Sequence, residues 1–122
     1  RAVERNSRRR LMIYRYLVTQ PDLNAHGTLH GGVLMKWVDE ACGMSARVDS
    51  GHVCATRHIK GIDFRSTARV GDIVEILVKP GNIGNTSITY SVTVKNIQGK
   101  LIATFDRVVF VAIDENHNPV KI

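Results

Sequence analysis

The sequence predicts an α+β fold in which one long helix lies on an antiparallel sheet, on three grounds. A single stretch, GGVLMKWVDEACGMSARVD at 31–49, carries apolar residues at helical spacing. Downstream of it, apolar residues alternate or cluster in runs bounded by Gly, Pro, Asn and Asp. A chain of 122 residues has room for one core, so 1–122 is expected to be a single domain with a basic N-terminal segment at 1–10.

Each element follows from local chemistry. LMIYRYLV at 11–18 is rich in aromatic and branched side chains and reads as a strand. TQPDLNAHGTLH is a polar loop punctuated by Pro21 and Gly27. The helix starts at Gly31 or Gly32 and runs to about Asp49, where SGH closes it. Residues 53–59 and 62–65 read as one or two short strands, with Gly61 as a candidate bulge. VGD at 70–72 turns the chain into DIVEILVK, and PGNIGN connects that strand to TSITYSVTVKN. There Ile88, Tyr90, Val92 and Val94 share one face. QGK at 98–100 turns into a last long strand at 101–113, which DENHNP ends. One helix covers one sheet face, while Ile73, Leu77, Ile102, Val108 and Phe110 are expected on the other, which points to oligomerisation.

Composition narrows the function classes. Apolar content is 43% and charged content 23%, ordinary for a globular domain, and no run reaches the ~18 apolar residues of a membrane span. The two cysteines, Cys42 and Cys54, lack metal-binding spacing; reduced thiols in the cytoplasm are the expectation, and neither metal nor redox cofactor is expected. A net charge of +6 favours anionic partners. RAVERNSRRR is too short for a helix-turn-helix and no aromatic-basic platform follows, so neither nucleic acid nor membrane is the expected partner.

Two adjacent carboxylates lie inside the helix. At 100° per residue, Leu34, Trp37, Val38, Ala41, Ser45 and Val48 form the face that packs on the sheet. Lys36, Glu40, Gly43 and Arg47 fall opposite, so Glu40 is expected in a solvated, ion-paired stripe. Asp39 has Met35, Cys42 and Ala46 as helical neighbours, none of which pairs with a carboxylate. It therefore belongs on a surface that another subunit or a ligand covers, where it is a candidate general base and equally a candidate interface residue. The N–H groups at Gly31 and Gly32 lack intrahelical acceptors and can receive a phosphate or an oxyanion.

Four motifs in order carry a family resemblance. They are N-x-x-G-x-x-H-G-G with the helical aspartate (Asn24, Gly27, His30, Gly31, Gly32, Asp39); T-x-x-I-x-x-I-D-F…VGD (Thr56 to Phe64, then Val70 to Asp72); G-x-T-S at Gly84, Thr86 and Ser87; and FVAIDENHNP from Phe110. Together they resemble the hotdog-fold acyl-CoA thioesterases, the YciA and brain acyl-CoA hydrolase group. The resemblance implies a long central helix wrapped by a curved antiparallel sheet, and a homodimer with shared active sites assembling to a hexamer or tetramer. It implies hydrolysis of an acyl-CoA to acid and coenzyme A (part of substrate and product, not a cofactor), with Asp39 as general base or nucleophile. Asn24 of the neighbouring subunit would position water or substrate, and Gly31 or Gly32 would bind the oxyanion. His30 would shape that loop or serve structure alone. Arg57, Lys60, Arg65 and Arg69 would face the phosphates of coenzyme A, with Gly84, Asn85, Thr86 and Ser87 against its nucleotide or pantetheine arm. Relatives often carry arginine where this chain has Asn85. Two other functions stay open: a non-catalytic acyl-CoA sensor, and a hotdog enoyl-CoA hydratase or dehydratase using His26 or His30.

Overall fold

A computed structural model describes residues 9–122, so residues 1–8 of the basic segment lie outside the described residues. Strand β1 (Met12–Leu17) leads through a 3-10 turn at Gln20–Asp22 into helix α1 (Gly31–Ser50). Strands β2 (Cys54–Phe64), β3 (Ile73–Ile83), β4 (Ser87–Asn96) and β5 (Leu101–Ala112) follow. All pairings are antiparallel and the sheet order is β1-β3-β4-β5-β2. The helix lies on one sheet face, as expected.

Local chemistry sets the helix ends. His30 is the N-cap, its Nδ1 accepting the Gly32 N–H at 2.8 Å. Gly51 closes the helix with a left-handed φ of 74° and donates its N–H to the Arg47 carbonyl. Leu34, Val38, Ala41, Cys42 and Ala46 then pack on Ile76, Ile88, Tyr90, Phe105 and Val108 from the sheet.

Several expectations need correction. Val48 is 80% exposed, because in the last turn the sheet-facing side shifts to Asp49, which takes the Tyr90 hydroxyl, and to buried Ser50, while Cys42 and Ala46 complete the buried face. Among the described residues Glu40 has no ion pair with Lys36 or Arg47; its contact is the Tyr16 hydroxyl at 3.5 Å. Of the two readings of 53–65, the single strand is the one found, at residues 54–64, but its register shifts at Thr56/His58 rather than at Gly61. Strand β3 runs on through Pro80 to Ile83, which shortens the PGNIGN connection to the turn at Gly84–Thr86. Ile102, Val108 and Phe110 belong to the core under the helix. Pairing steps from Tyr90↔Val108 to Val92↔Phe105 and from Val94↔Ala103 to Lys95↔Leu101, so β5 carries extra residues that swap its faces.

Strand β2 is an edge, with no strand pairing on its outer side among the described residues. It is 11 residues long and mostly exposed, Ile62 and Phe64 included. A long, partly apolar edge of this kind normally pairs with another strand.

Candidate active site

Asp39 sits two turns into α1, half-buried, and faces β2. The Thr56 hydroxyl donates to its Oδ1 at 2.5 Å. Thr56 therefore belongs to the site, although the sequence reading gave it no role; a strand threonine carries no periodic signal to mark it. Cys42 lies one turn along the helix, fully buried. Burial, and then the Asp39 charge, push its thiol up to about 12, so it stays neutral and does not compete as a nucleophile.

The helix N-terminus forms a second group. Gly32 spends its N–H on His30, whereas no acceptor for the Gly31 N–H is found among the described residues. Gly31 is thus the open donor of the pair, and His30 acts as the cap. Asn24 is turned into its own loop: its Oδ1 accepts the His26 N–H at 2.9 Å and the Thr28 N–H at 3.1 Å, and its Nδ2 donates to Thr28 Oγ1. A cleft of about 190 Å³ opens beside these residues, lined by Asn24, Gly31, Leu34, Phe64, Ala68 and Ile102. Phe64 is its second unforeseen member, with ring atoms 3.7 and 3.9 Å from where a Cβ on Gly31 would stand.

These two groups do not meet within one chain. Gly31 and Asp39 are eight residues apart on one helix, about 12 Å along its axis. The sheet separates them too. Thr56 pairs with Phe110, which pairs with Ile88, so the turn of Gly84, Asn85, Thr86 and Ser87 lies at the Asp39 end. That turn is tied down by Gly84 N–H to the Ser87 carbonyl, Ala112 N–H to the Thr86 carbonyl and Ile122 N–H to the Asn85 carbonyl. Phe64 pairs with Ala103 at the other end, and Ala68 receives the Leu29 N–H there.

The basic residues divide likewise. Arg57 falls in the bulge beside Thr56, Lys60 sits mid-strand opposite Arg107, and Arg65 and Arg69 stand near the cleft. All four are exposed, and Arg65 is paired with Asp63 at 2.5 Å. Among the described residues no cluster of three or more His, Cys, Asp or Glu could hold a metal ion, and no helix is long and apolar enough to cross a membrane.

Residues 26–103, which carry Gly31, Asp39, Thr56, Phe64 and the Gly84–Ser87 turn, match the profile of the Thioesterase superfamily. The chain belongs to that superfamily. Among thioesterase-superfamily relatives, an uncharacterized acyl-CoA thioester hydrolase of Buchnera aphidicola is 31% identical over 115 residues, covering 88% of this chain and 85% of that protein. A putative esterase of Deinococcus radiodurans is 34% identical over 89 residues; the match takes in 72% of this chain but spans only 59% of the esterase. A hexameric broad-specificity acyl-coenzyme A thioesterase, solved as an aspartate-to-alanine mutant, superposes with a TM-score of 0.80 at 26% identity. That superposition covers 93% of this chain and 86% of the other. The fold is accordingly the hotdog fold of these thioesterases.

Proposed function

We propose that this chain hydrolyses acyl-CoA thioesters to free acid and coenzyme A, at a site shared by two copies joined along their β2 edges. The observation that carries this is the division of one candidate catalytic set into two groups about 12 Å apart on one helix, flanking a strand whose outer edge has no partner among the described residues. A single thioester carbonyl cannot touch both. An antiparallel β2–β2 pairing with its two-fold axis near Lys60 sets Thr56 of one copy opposite Phe64 of the other. Asp39 then approaches the partner copy's open Gly31 N–H. The names of the relatives support the reaction.

In this mechanism the acyl group occupies the cleft lined by Leu34, Phe64, Ala68 and Ile102. The Gly31 N–H, at the positive end of α1, stabilises the oxyanion as the carbonyl is attacked. Asp39 either takes the proton from an attacking water or attacks the carbonyl itself, to be released by water. The C–S bond breaks and coenzyme A leaves as the thiol. Asn24 keeps one amide N–H uncommitted for substrate or water, and His30 serves as the cap that orients the helix start. Arg57, Lys60, Arg65 and Arg69, with the Gly84–Ser87 turn, supply the charge and shape that meet the nucleotide end, Arg65 only if it exchanges Asp63 for phosphate. Dimers assemble further, as the hexameric relative does, in a single domain over 1–122. The two free thiols suit a reducing compartment, and we assign the protein to the cytoplasm.

The test is thiol release across acyl-CoA chain lengths, on wild type beside Asp39→Ala and Gly31→Pro. Proline at the first helical position deletes the N–H, and His30 before it already has the extended backbone proline requires; because its ring also stands beside Phe64, Gly31→Ala, which adds a Cβ but keeps the N–H, is the control and should stay active. Asp39→Ala and Gly31→Pro should each alone lose at least ~10² in turnover. Co-folded, they should regain about a quarter of wild-type turnover, because half of randomly paired dimers hold one whole site. Two inactive variants that fail to complement would reject the shared site; an active Asp39→Ala would reject the mechanism.

A further inference from the structure

We infer that the floor of the cleft beside Gly31 is a length gauge: it admits acyl groups of up to about six carbons and excludes longer ones, with Ala68 and Ile102 setting the limit. This deepens the hydrolytic reading and rests on it for where the thioester carbonyl sits. The mouth of the cleft is the Gly31 end, where the open N–H would take that carbonyl and Phe64, 50% exposed, forms the rim. The far wall is the protein core. Leu34, Ala68 and Ile102 line it at 2%, 0% and 1% exposure, so the end of an acyl chain meets packed side chains there rather than solvent.

Volume sets the count. A water takes up about 30 Å³ in the liquid and a methylene is of similar size, so a cleft of about 190 Å³ holds roughly six chain carbons. Backbone hydrogen bonds also fix the wall in place. The Leu29 N–H donates to the Ala68 carbonyl at 2.8 Å, and the Arg65 and Ser66 N–H groups both donate to the Ile102 carbonyl, at 2.8 and 3.1 Å. They tie the loop before α1, the end of β2 and the start of β5 together, and a packed interior of this kind resists displacement. A longer chain must therefore push the core apart or double back towards the mouth. There it meets the polar side chains of Asn24, Ser66 and Thr67 and gains little apolar burial.

The test separates the gauge from the chemistry. Calorimetry gives the affinity of unhydrolysable ketone analogues of acyl-CoA, in which a methylene stands between sulfur and carbonyl, from acetyl through butanoyl, hexanoyl and octanoyl to palmitoyl. The kcat/KM of the matching thioesters is measured beside it. Both should rise about fourfold per methylene up to hexanoyl, and octanoyl and palmitoyl should fall at least about fivefold below it. Ala68→Val narrows the floor and should move the optimum to butanoyl; Ile102→Ala removes three carbons from the wall and should move it to octanoyl or beyond. Circular dichroism checks that each variant is folded, and the wild-type profile decides the matter if one is not. Binding that peaks at hexanoyl without turnover keeps the gauge and rejects the hydrolytic reading. Palmitoyl bound or hydrolysed as well as hexanoyl, or an optimum unmoved in the folded variants, overturns the gauge whether or not thioesters are cleaved.

Discussion

Replacing Thr56 with valine removes one hydroxyl and keeps the shape of the β2 side chain. In the structure that hydroxyl donates to Asp39 Oδ1 at 2.5 Å, and Thr56 pairs with Phe110 at a point where the strand register shifts. A hydrogen bond to a charged group is worth about 1.5–3 kcal/mol when one partner is deleted. Asp39 lies half-buried between Met35, Cys42 and Ala46, so it has few other donors to turn to. If the bond holds the carboxylate in its reactive orientation, kcat/KM for an acyl-CoA should fall roughly 10- to 150-fold. The fold should be untouched, since valine suits an edge strand. Serine at the same position keeps the donor and should recover most of the rate. The assay is thiol release under kcat/KM conditions, with thermal unfolding measured in parallel. A valine variant within twofold of wild type would refute the positioning role, and a serine variant as slow as valine would point to lost packing.

Three further outcomes follow from the geometry. Gly61→Ala puts a Cβ at a φ of 72°, within 2.8 Å of the Asp106 side chain, so stability should drop by about 1–3 kcal/mol, read as a lower thermal midpoint. Tyr90→Phe deletes the hydroxyl that donates to Asp49 at 2.7 Å, beneath a guanidinium from Arg9 that lies 5.0 Å from the ring centroid; urea titration should register a loss of about 1–2 kcal/mol. Burial raises the Cys42 thiol from 9.0 to about 12, so between those values the folded chain keeps a proton that the unfolded chain releases. That contribution is whole below pH 9 and is lost as pH rises towards 12. Cys42→Ala should thus show a shallower fall in stability above pH 9, and a thiol reagent at pH 8 should label half-buried Cys54 but leave Cys42 untouched in the native protein.

Helical spacing was enough to separate Asp39 from Glu40 and to give the helix its buried stripe within one turn. It overran at Val48 because periodicity does not say which side of the last turn meets the sheet: Asp49 and Ser50 face it there. Alternation in β4 read correctly, since that strand lies in mid-sheet and pairs on both sides. In β5 it misassigned Val108 and Phe110, because extra residues opposite β4 reverse the faces and a bulge leaves no reliable mark in composition. The ion pair expected of Glu40 is absent among the described residues, where its carboxylate instead receives the hydroxyl of Tyr16, from a strand distant in sequence.

What the sequence determined alone was everything fixed by neighbours along the chain: the α+β class, the order of elements, the glycine start of α1 and a carboxylate set apart from its charged stripe. Those depend on local backbone preference and on periods of 3.6 and 2 residues. The tertiary structure decided which of two adjacent glycines keeps its N–H, that Thr56 bonds Asp39 and Phe64 flanks Gly31, and that the two groups of the candidate site stand towards opposite ends of one exposed edge. Each of these depends on contacts between residues far apart in the chain, whose geometry is set only when strands take their register and the helix settles on the sheet.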